Sequence, residues 1–255
     1  MPLPRIVAAE TLDFLSPDDP DAIRSRRDLR RIHRMMGTRS IILDALGVLG
    51  ELHGAIASEN AVPARPLRIL ELGAGDGRLM LGVARALTSV YPHVELTLLD
   101  RQALVAPATI SGYAVHGWRT VAKVADVLDW AAADIDPLSK DQRWDLIIAN
   151  LFLHHFEVDQ LTALLQASAM RTDLFIACEP RRARLALLGS HLVGVIGANK
   201  VTREDAVLSV HAGFRGGEIS MLWPGLAPQW QVKEYPAGLF THCFRAMRVE
   251  PANAD

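Results

Sequence analysis

The stretch Leu67-Arg68-Ile69-Leu70-Glu71-Leu72-Gly73-Ala74-Gly75-Asp76-Gly77-Arg78-Leu79 decides the fold. Leu67, Ile69, Leu70 and Leu72 form a short apolar run, the pattern of a strand buried on both faces. Three glycines at alternate positions follow, and Leu79, Met80, Val83, Ala84 and Leu87 then recur at helical spacing. The order is strand, tight turn, helix. Gly73 permits backbone angles closed to other residues, Gly75 lets a ligand approach the main chain, and Gly77 lets the helix pack close.

The charges say which ligand the turn suits. A dinucleotide fingerprint, G-x-G-x-x-G, needs a third glycine where Arg78 stands. A pyrophosphate rests on the bare amides of a helix N-terminus, and Asp76 would repel it there. Glu71 at the strand end adds a second negative charge. Two carboxylates beside a glycine turn suit a cationic ligand that needs close backbone contact, such as S-adenosylmethionine (SAM) with its sulfonium and α-ammonium groups. The run resembles the first motif of the Rossmann-like, class I SAM-dependent methyltransferases, an acidic residue followed by G-x-G-x-G. The resemblance implies cofactor contacts for Glu71, Gly73, Gly75, Asp76 and Gly77. Glycine-rich turns also occur as plain structure.

Length and composition bound the rest. The 255 residues predict one α/β domain with additions, and the half that are hydrophobic are enough for a large core. A net charge of −2 lacks the basic excess of a nucleic-acid binder. Cys178 and Cys243 have no metal-ligand spacing and sit in apolar runs, as buried free thiols in a reducing cytosol do. No metal site is expected. Glu10 and Asp13 come early and no long apolar core surrounds them, so no signal peptide is evident. The longest apolar stretch, Leu185 to Ala198, is broken by Ser190 and His191 and is too short to span a bilayer. Together these features predict a cytoplasmic protein without membrane insertion.

Residues 1–62 read as an N-terminal helical cap. Ser16-Pro17-Asp18-Asp19-Pro20 is turn chemistry, Ile23 to Met36 is arginine-rich, Gly37 marks a break, and Ile41 to Ile56 is apolar and helical. The arginines form a solvated face, or else Arg34 or Arg39 closes over the cofactor carboxylate, as such additions do in the resembled family. Val62-Pro63-Ala64-Arg65-Pro66 joins the cap to a SAM-binding domain of residues 63–255.

From Leu67 on, strands and crossover helices alternate, the pattern of a parallel sheet. Val94 to Leu99 is the second strand and ends at Asp100, whose carboxylate can accept both ribose hydroxyls of an adenosine cofactor, NAD as well as SAM. Trp118 to Val124 is the third strand. By resemblance, Arg101 belongs to the cofactor site, Asp126 accepts from the adenine amino group, and Val127 offers its amide. Asp126 also reads as a helix N-cap, and the two roles are compatible. The fourth strand, Trp144 to Ala149, ends in Asn150-Leu151-Phe152-Leu153-His154-His155-Phe156. Ligands of open α/β sheets gather at such carboxyl ends, so this tip belongs to the site, with Asn150 a cofactor contact by resemblance. A histidine at such a tip is a structural residue or a proton acceptor, and the sequence leaves both roles open for His154 and His155. Leu151 and Phe152 replace the prolines usual in enzymes that methylate base amines, which argues against a nucleic-acid acceptor.

Leu161 to Met170 is a crossover helix and Leu174 to Cys178 the fifth strand, followed by Glu179-Pro180-Arg181-Arg182. Arg181 is a candidate for holding an acidic or phenolic acceptor, or it is solvated. An insertion over about 181–223 carries one helix from Arg184 to Ile196 and another opened by Thr202-Arg203-Glu204-Asp205. In the resembled fold it forms an acceptor lid. Trp230 to Tyr235 and Leu239 to Val249 make a terminal hairpin. The whole resembles a seven-stranded, mostly parallel Rossmann-like methyltransferase sheet with an antiparallel terminal strand.

The segments H-R-M-M-G-T-R-S, L-H-H-F and C-E-P-R-R resemble a bacterial methyltransferase subgroup associated with type III polyketide synthases and flavin oxidoreductases. That implies transfer from SAM, leaving S-adenosylhomocysteine (SAH), to an oxygen or activated carbon of a small phenolic, aromatic or polyketide-derived acceptor. His155 is the expected general base, with His154 its neighbour. The alternatives are a macromolecular acceptor, an NAD-dependent oxidoreductase, and a SAM-binding partner subunit without catalysis. Oligomeric state is not legible in the sequence.

Overall fold

The structure is a computed structural model that describes residues 3–47, 65–134, 143–225 and 229–249. The expected cap–core junction near residue 62 and the second half of the expected Ile41–Ile56 helix lie outside them. Seven strands, β1 (Leu67–Leu72), β2 (Val94–Asp100), β3 (Trp118–Val124), β4 (Trp144–Asn150), β5 (Thr172–Pro180), β6 (Trp230–Ala237) and β7 (Thr241–Arg248), form one sheet in the order β3-β2-β1-β4-β5-β7-β6. All neighbours pair in parallel except β7, which runs antiparallel to both β5 and β6. This is the Rossmann-like methyltransferase architecture expected from the sequence.

The apolar runs are continuous because the sheet is covered on both faces. Ile69, Leu146, Ile148, Leu174 and Ile176 point to one side, where they meet α2 (Thr38–Leu46), α3 (Arg78–Leu87) and α4 (Pro107–Ala114). Leu70, Leu72, Ile147, Ala149 and Phe175 point to the other, toward α5 (Val127–Ala132) and α6 (Val158–Arg171). The strand order reverses between β1 and β4, and ligand sites of open α/β sheets form at that switch point. Arg65 fixes the entry to β1 by a double hydrogen bond to Asp145, at 2.8 and 2.6 Å.

The N-terminal segment starts extended and makes a 3-10 turn at Thr11–Asp13. It then enters α1 (Pro20–Met36), capped by Asp19, and α2. Gly37 breaks the two helices in the left-handed conformation, with its amide on Arg34 O. The insertion holds α7 (Arg184–Leu192), a 3-10 turn over Val193–Ile196, and α8 (Lys200–Ala212). The expected single helix Arg184–Ile196 therefore tightens at its end. The second helix opens two residues before Thr202, because Asn199 accepts from the Thr202 amide at 2.9 Å and serves as its cap. Cys178 and Cys243 face each other across β5 and β7 as buried free thiols, with their sulfurs 3.3 Å apart in a hydrogen bond.

Candidate active site

A cleft of about 1140 Å³ opens where β1, β2 and β4 end. Typical ligand pockets measure about 300–1,000 Å³, so this one stands at the large end of that range. The turn after β1 forms its floor, and Gly73, Gly75 and Gly77 all hold positive φ. A Cβ on Gly73 would stand 2.2 Å from the Phe152 ring, whereas one on Gly75 would meet nothing within 4 Å. Gly75 thus presents open main chain to a ligand. At Gly77 a Cβ would meet Leu98 at 2.9 Å, the mark of close helix–strand packing.

The acidic residues divide by partner. Glu71 is buried on the cleft wall and its Oε2 has no hydrogen-bond partner. Burial, reinforced by the charges of Asp100 and Asp76, pushes its carboxyl up to about 8. Asp76 instead pairs with Arg30 of α1 at 3.0 Å and accepts from the Arg78 amide. It ties the N-terminal segment to the turn. Asp100 accepts from the amides of Gly75 at 2.8 Å and Gln102 at 2.9 Å, one on each oxygen. Each oxygen keeps a second lone pair for a hydroxyl donor. Asp126 caps α5 through Oδ1, which accepts from the Leu128 amide at 2.7 Å. The first-turn amide of Val127 has no acceptor within its helix.

At the end of β4, Asn150 Oδ1 is buried without a partner. Leu151 follows at φ 49°, the one non-glycine residue with positive φ among those described. Such a conformation costs about 1–3 kcal/mol and persists where its surroundings hold it. Here Glu179 holds them. Its Oε1 accepts from the amides of Phe152 at 3.0 Å and Leu153 at 2.9 Å, shaping the turn that presents both histidines.

The two histidines have opposite surroundings. His154 is buried, with Nδ1 2.8 Å from Glu179 and Nε2 3.3 Å from Glu10. Burial alone would lower its pKa, but the hydrogen bonds to Glu10 and Glu179 raise it to about 9. It is a structural imidazolium at neutral pH. His155 is on the cleft wall, with Nδ1 3.3 Å from Asp13 Oδ2. Glu10, His154 and His155 bring potential ligand atoms within 4.8 Å of one another. Both His154 nitrogens already face carboxylates, so the set is an ion-pair network.

In the sequence Glu10 and Asp13 are only early charges with no long apolar core around them. They arrive here because the N-terminal segment is anchored to α8 and to the loop after β2. Asp205 of α8 accepts from the amides of Thr11 at 2.8 Å and Leu12 at 3.0 Å. Arg101, expected at the cofactor, donates to Asp13 O at 2.7 Å and pairs with its carboxylate at 3.3 Å. Arg181, expected at the acceptor, lies outside the cleft lining and reaches Gly238 O at 3.5 Å. Of residues 181–223, Ser209 alone lines the cleft among the described residues. The roof is built by Val7–Phe14, α1 and the start of α2, because α8 packs against that segment and not over the cleft.

The donor set fits SAM. An unpartnered buried carboxylate suits an ammonium group, Asp100 suits a ribose diol, Asp126 and the Val127 amide suit an adenine edge, and open main chain at Gly75 completes the cradle. No helix among the described residues is long and apolar enough to cross a membrane.

A family model described as lysine methyltransferase matches residues 48–186, more than half of the chain. No curated protein matches. Among solved structures, an O-methyltransferase family protein from Burkholderia thailandensis is similar, with 18% identity and a TM-score of 0.48. That match covers 82% of this chain and 59% of the other, so the chain spans less than two thirds of that relative. A magnesium protoporphyrin IX methyltransferase from Synechocystis PCC 6803 with bound SAH is also similar, at 11% identity and a TM-score of 0.49. It is covered to 93%, with 89% of this chain.

Proposed function

The chain belongs to the family described by the lysine methyltransferase model, within the class I SAM-dependent methyltransferases, and from that premise we propose that it methylates a small phenolic, aromatic or polyketide-derived acceptor. The observation that carries this reading is the pairing of His155 with Asp13 on the wall of a cleft roofed by the chain's own N-terminal segment. A roofed cleft accommodates a small molecule more readily than the surface of a folded protein.

When bound, SAM supplies an electrophilic methyl group on a positively charged sulfur. The residues position that group and prepare the nucleophile. Glu71 neutralises the ammonium end, Asp100 fixes the ribose, and Asp126 with the Val127 amide orients the adenine. In-line transfer depends on such placement, which is worth several kcal/mol of a barrier. A phenol is a weak nucleophile while protonated, and His155 takes its proton as the new bond forms. His154, held cationic, keeps the β4 tip in register.

A second reading has one observation in its favour, the family's description, and makes the acceptor a lysine side chain of a protein. Its amine must also lose a proton before attack, so His155 would serve there too. Incubation with methyl-labelled SAM decides between them. One arm holds a panel of phenols and polyketide lactones, the other a dialysed protein extract, and mass spectrometry locates the label. Label in the small molecules supports the proposal, and label confined to lysine residues replaces it with the second reading.

A further inference from the structure

We propose that Asp13, from the N-terminal segment, is the positioning residue of His155, and that it acts by holding the ring in one tautomer. The inference rests on the reading of His155 as the proton acceptor and adds to it a residue from a distant part of the chain.

A neutral imidazole carries its proton on either nitrogen, and the partner of one decides the availability of the other. A carboxylate facing Nδ1 keeps the proton there and leaves the lone pair on Nε2. Asp13 Oδ2 stands 3.3 Å from His155 Nδ1. Its other oxygen pairs with Arg101 at 3.3 Å, so the carboxylate is oriented from both ends. Burial works against the Asp13 charge, but His155, Arg101 and His154 together hold its pKa below the ordinary value. It is therefore an acceptor across the working pH range. The charged groups around His155 are Asp13, Arg101, His154 and Glu10, the last also reaching His154.

The arrangement separates two adjacent, chemically identical rings. Their centroids are 4.3 Å apart. His154 has a carboxylate on each nitrogen, which fills both positions and removes it from chemistry. His155 has one carboxylate on Nδ1, and its ring lines the cleft. In the proton step the acceptor O–H bond breaks, its proton moves to Nε2, and the electron pair stays on oxygen for attack. The positive charge that develops on the ring is shared with Asp13.

The test is nitrogen-15 NMR of the full-length chain with labelled histidine at pH 8. Loss of one signal set in His155→Gln and another in His154→Gln assigns the two residues. In the unsubstituted protein His155 is expected with its proton on Nδ1, and His154 with protons on both nitrogens. In Asp13→Ala the His155 proton should move predominantly to Nε2, the commoner form of a free imidazole. The main chain of residues 11–13 stays anchored to Asp205 and Arg101 in that variant. A His155 found as the Nε2-protonated form in the unsubstituted chain overturns the proposal. So does a tautomer that Asp13→Ala leaves unchanged. Calorimetric binding of SAH, measured on the same samples, reports separately on the methyltransferase reading. A chain that binds SAH with the wrong His155 tautomer refutes the role of Asp13 alone.

Discussion

Glu71 should couple cofactor binding to proton release. Its carboxyl is buried, unpartnered, and raised from 4.5 to about 8 by burial and by the charges of Asp100 and Asp76. The unfolded chain releases this proton near pH 4.5 while the folded chain keeps it to about pH 8. Between those values the folded state binds more protons, so stability falls as pH rises. At about 1.36 kcal/mol per pKa unit, the ligand-free protein should lose about 3 kcal/mol between pH 4.5 and pH 7 from this group. Glu71→Gln should lack that component, and the difference between the two urea-denaturation profiles isolates it. At pH 7 the free protein keeps about 0.9 of a proton on Glu71, and the ammonium group of SAH should expel most of it. Calorimetry in buffers of different ionisation enthalpy counts the protons released. Glu71→Gln should release close to none from this position and should bind SAH about 10–100-fold more weakly, as expected for a lost charge-assisted contact. Equal proton release by both proteins would refute the placement of Glu71 against the ammonium group.

Three further outcomes follow from the same geometry. His155→Ala should lower methyl transfer about 10²–10⁴-fold at neutral pH, with part of the rate returning at high pH where a phenol ionises unaided; a wild-type rate across the pH range would remove the general base. His154→Ala should act on stability, costing about 3–5 kcal/mol in urea denaturation because Glu10 and Glu179 lose their shared cation. The His154 charge contributes stability that is fully present below about pH 6.5 and is lost as pH rises through about 9, so the gap between the variant and the wild type should narrow in alkaline buffer to what lost packing alone costs. Asp100→Ala should weaken SAH binding by about 1.5–3 kcal/mol per ribose hydrogen bond at most; an unchanged dissociation constant would place the ribose elsewhere.

The parts of this fold that were legible in the sequence are those encoded locally. β1, its turn and α3 declare themselves within the continuous stretch Leu67 to Leu87, since a buried strand, three glycines and an amphipathic helix each leave a short-range pattern. β3 was readable over Trp118–Val124 despite being an exposed edge strand, because its β-branched and aromatic residues are bounded by turns. The site's N-terminal half was hidden for the opposite reason. Glu10 meets His154 and Asp13 meets His155 across more than 140 residues of chain, and no local pattern carries such a contact. Arg101 and Arg181 both stand beside motif positions, but Arg101 lines the cleft while it reaches Asp13, whereas Arg181 lies outside the lining and reaches Gly238. The insertion was expected above the acceptor, but Asp205, Thr202 and Ser209, bonded to Thr11 and Leu12, Ser25 and Glu10, commit α8 to the N-terminal segment, which itself becomes the roof.

The most direct test of the account is a crystal structure of the protein grown with SAH. The ribose should sit on Asp100, the adenine against Asp126 and the Val127 amide, and the ammonium group at Glu71, with the sulfur facing the space beside His155. SAH bound away from the ends of β1 and β2, or with its sulfur remote from His155, would contradict it.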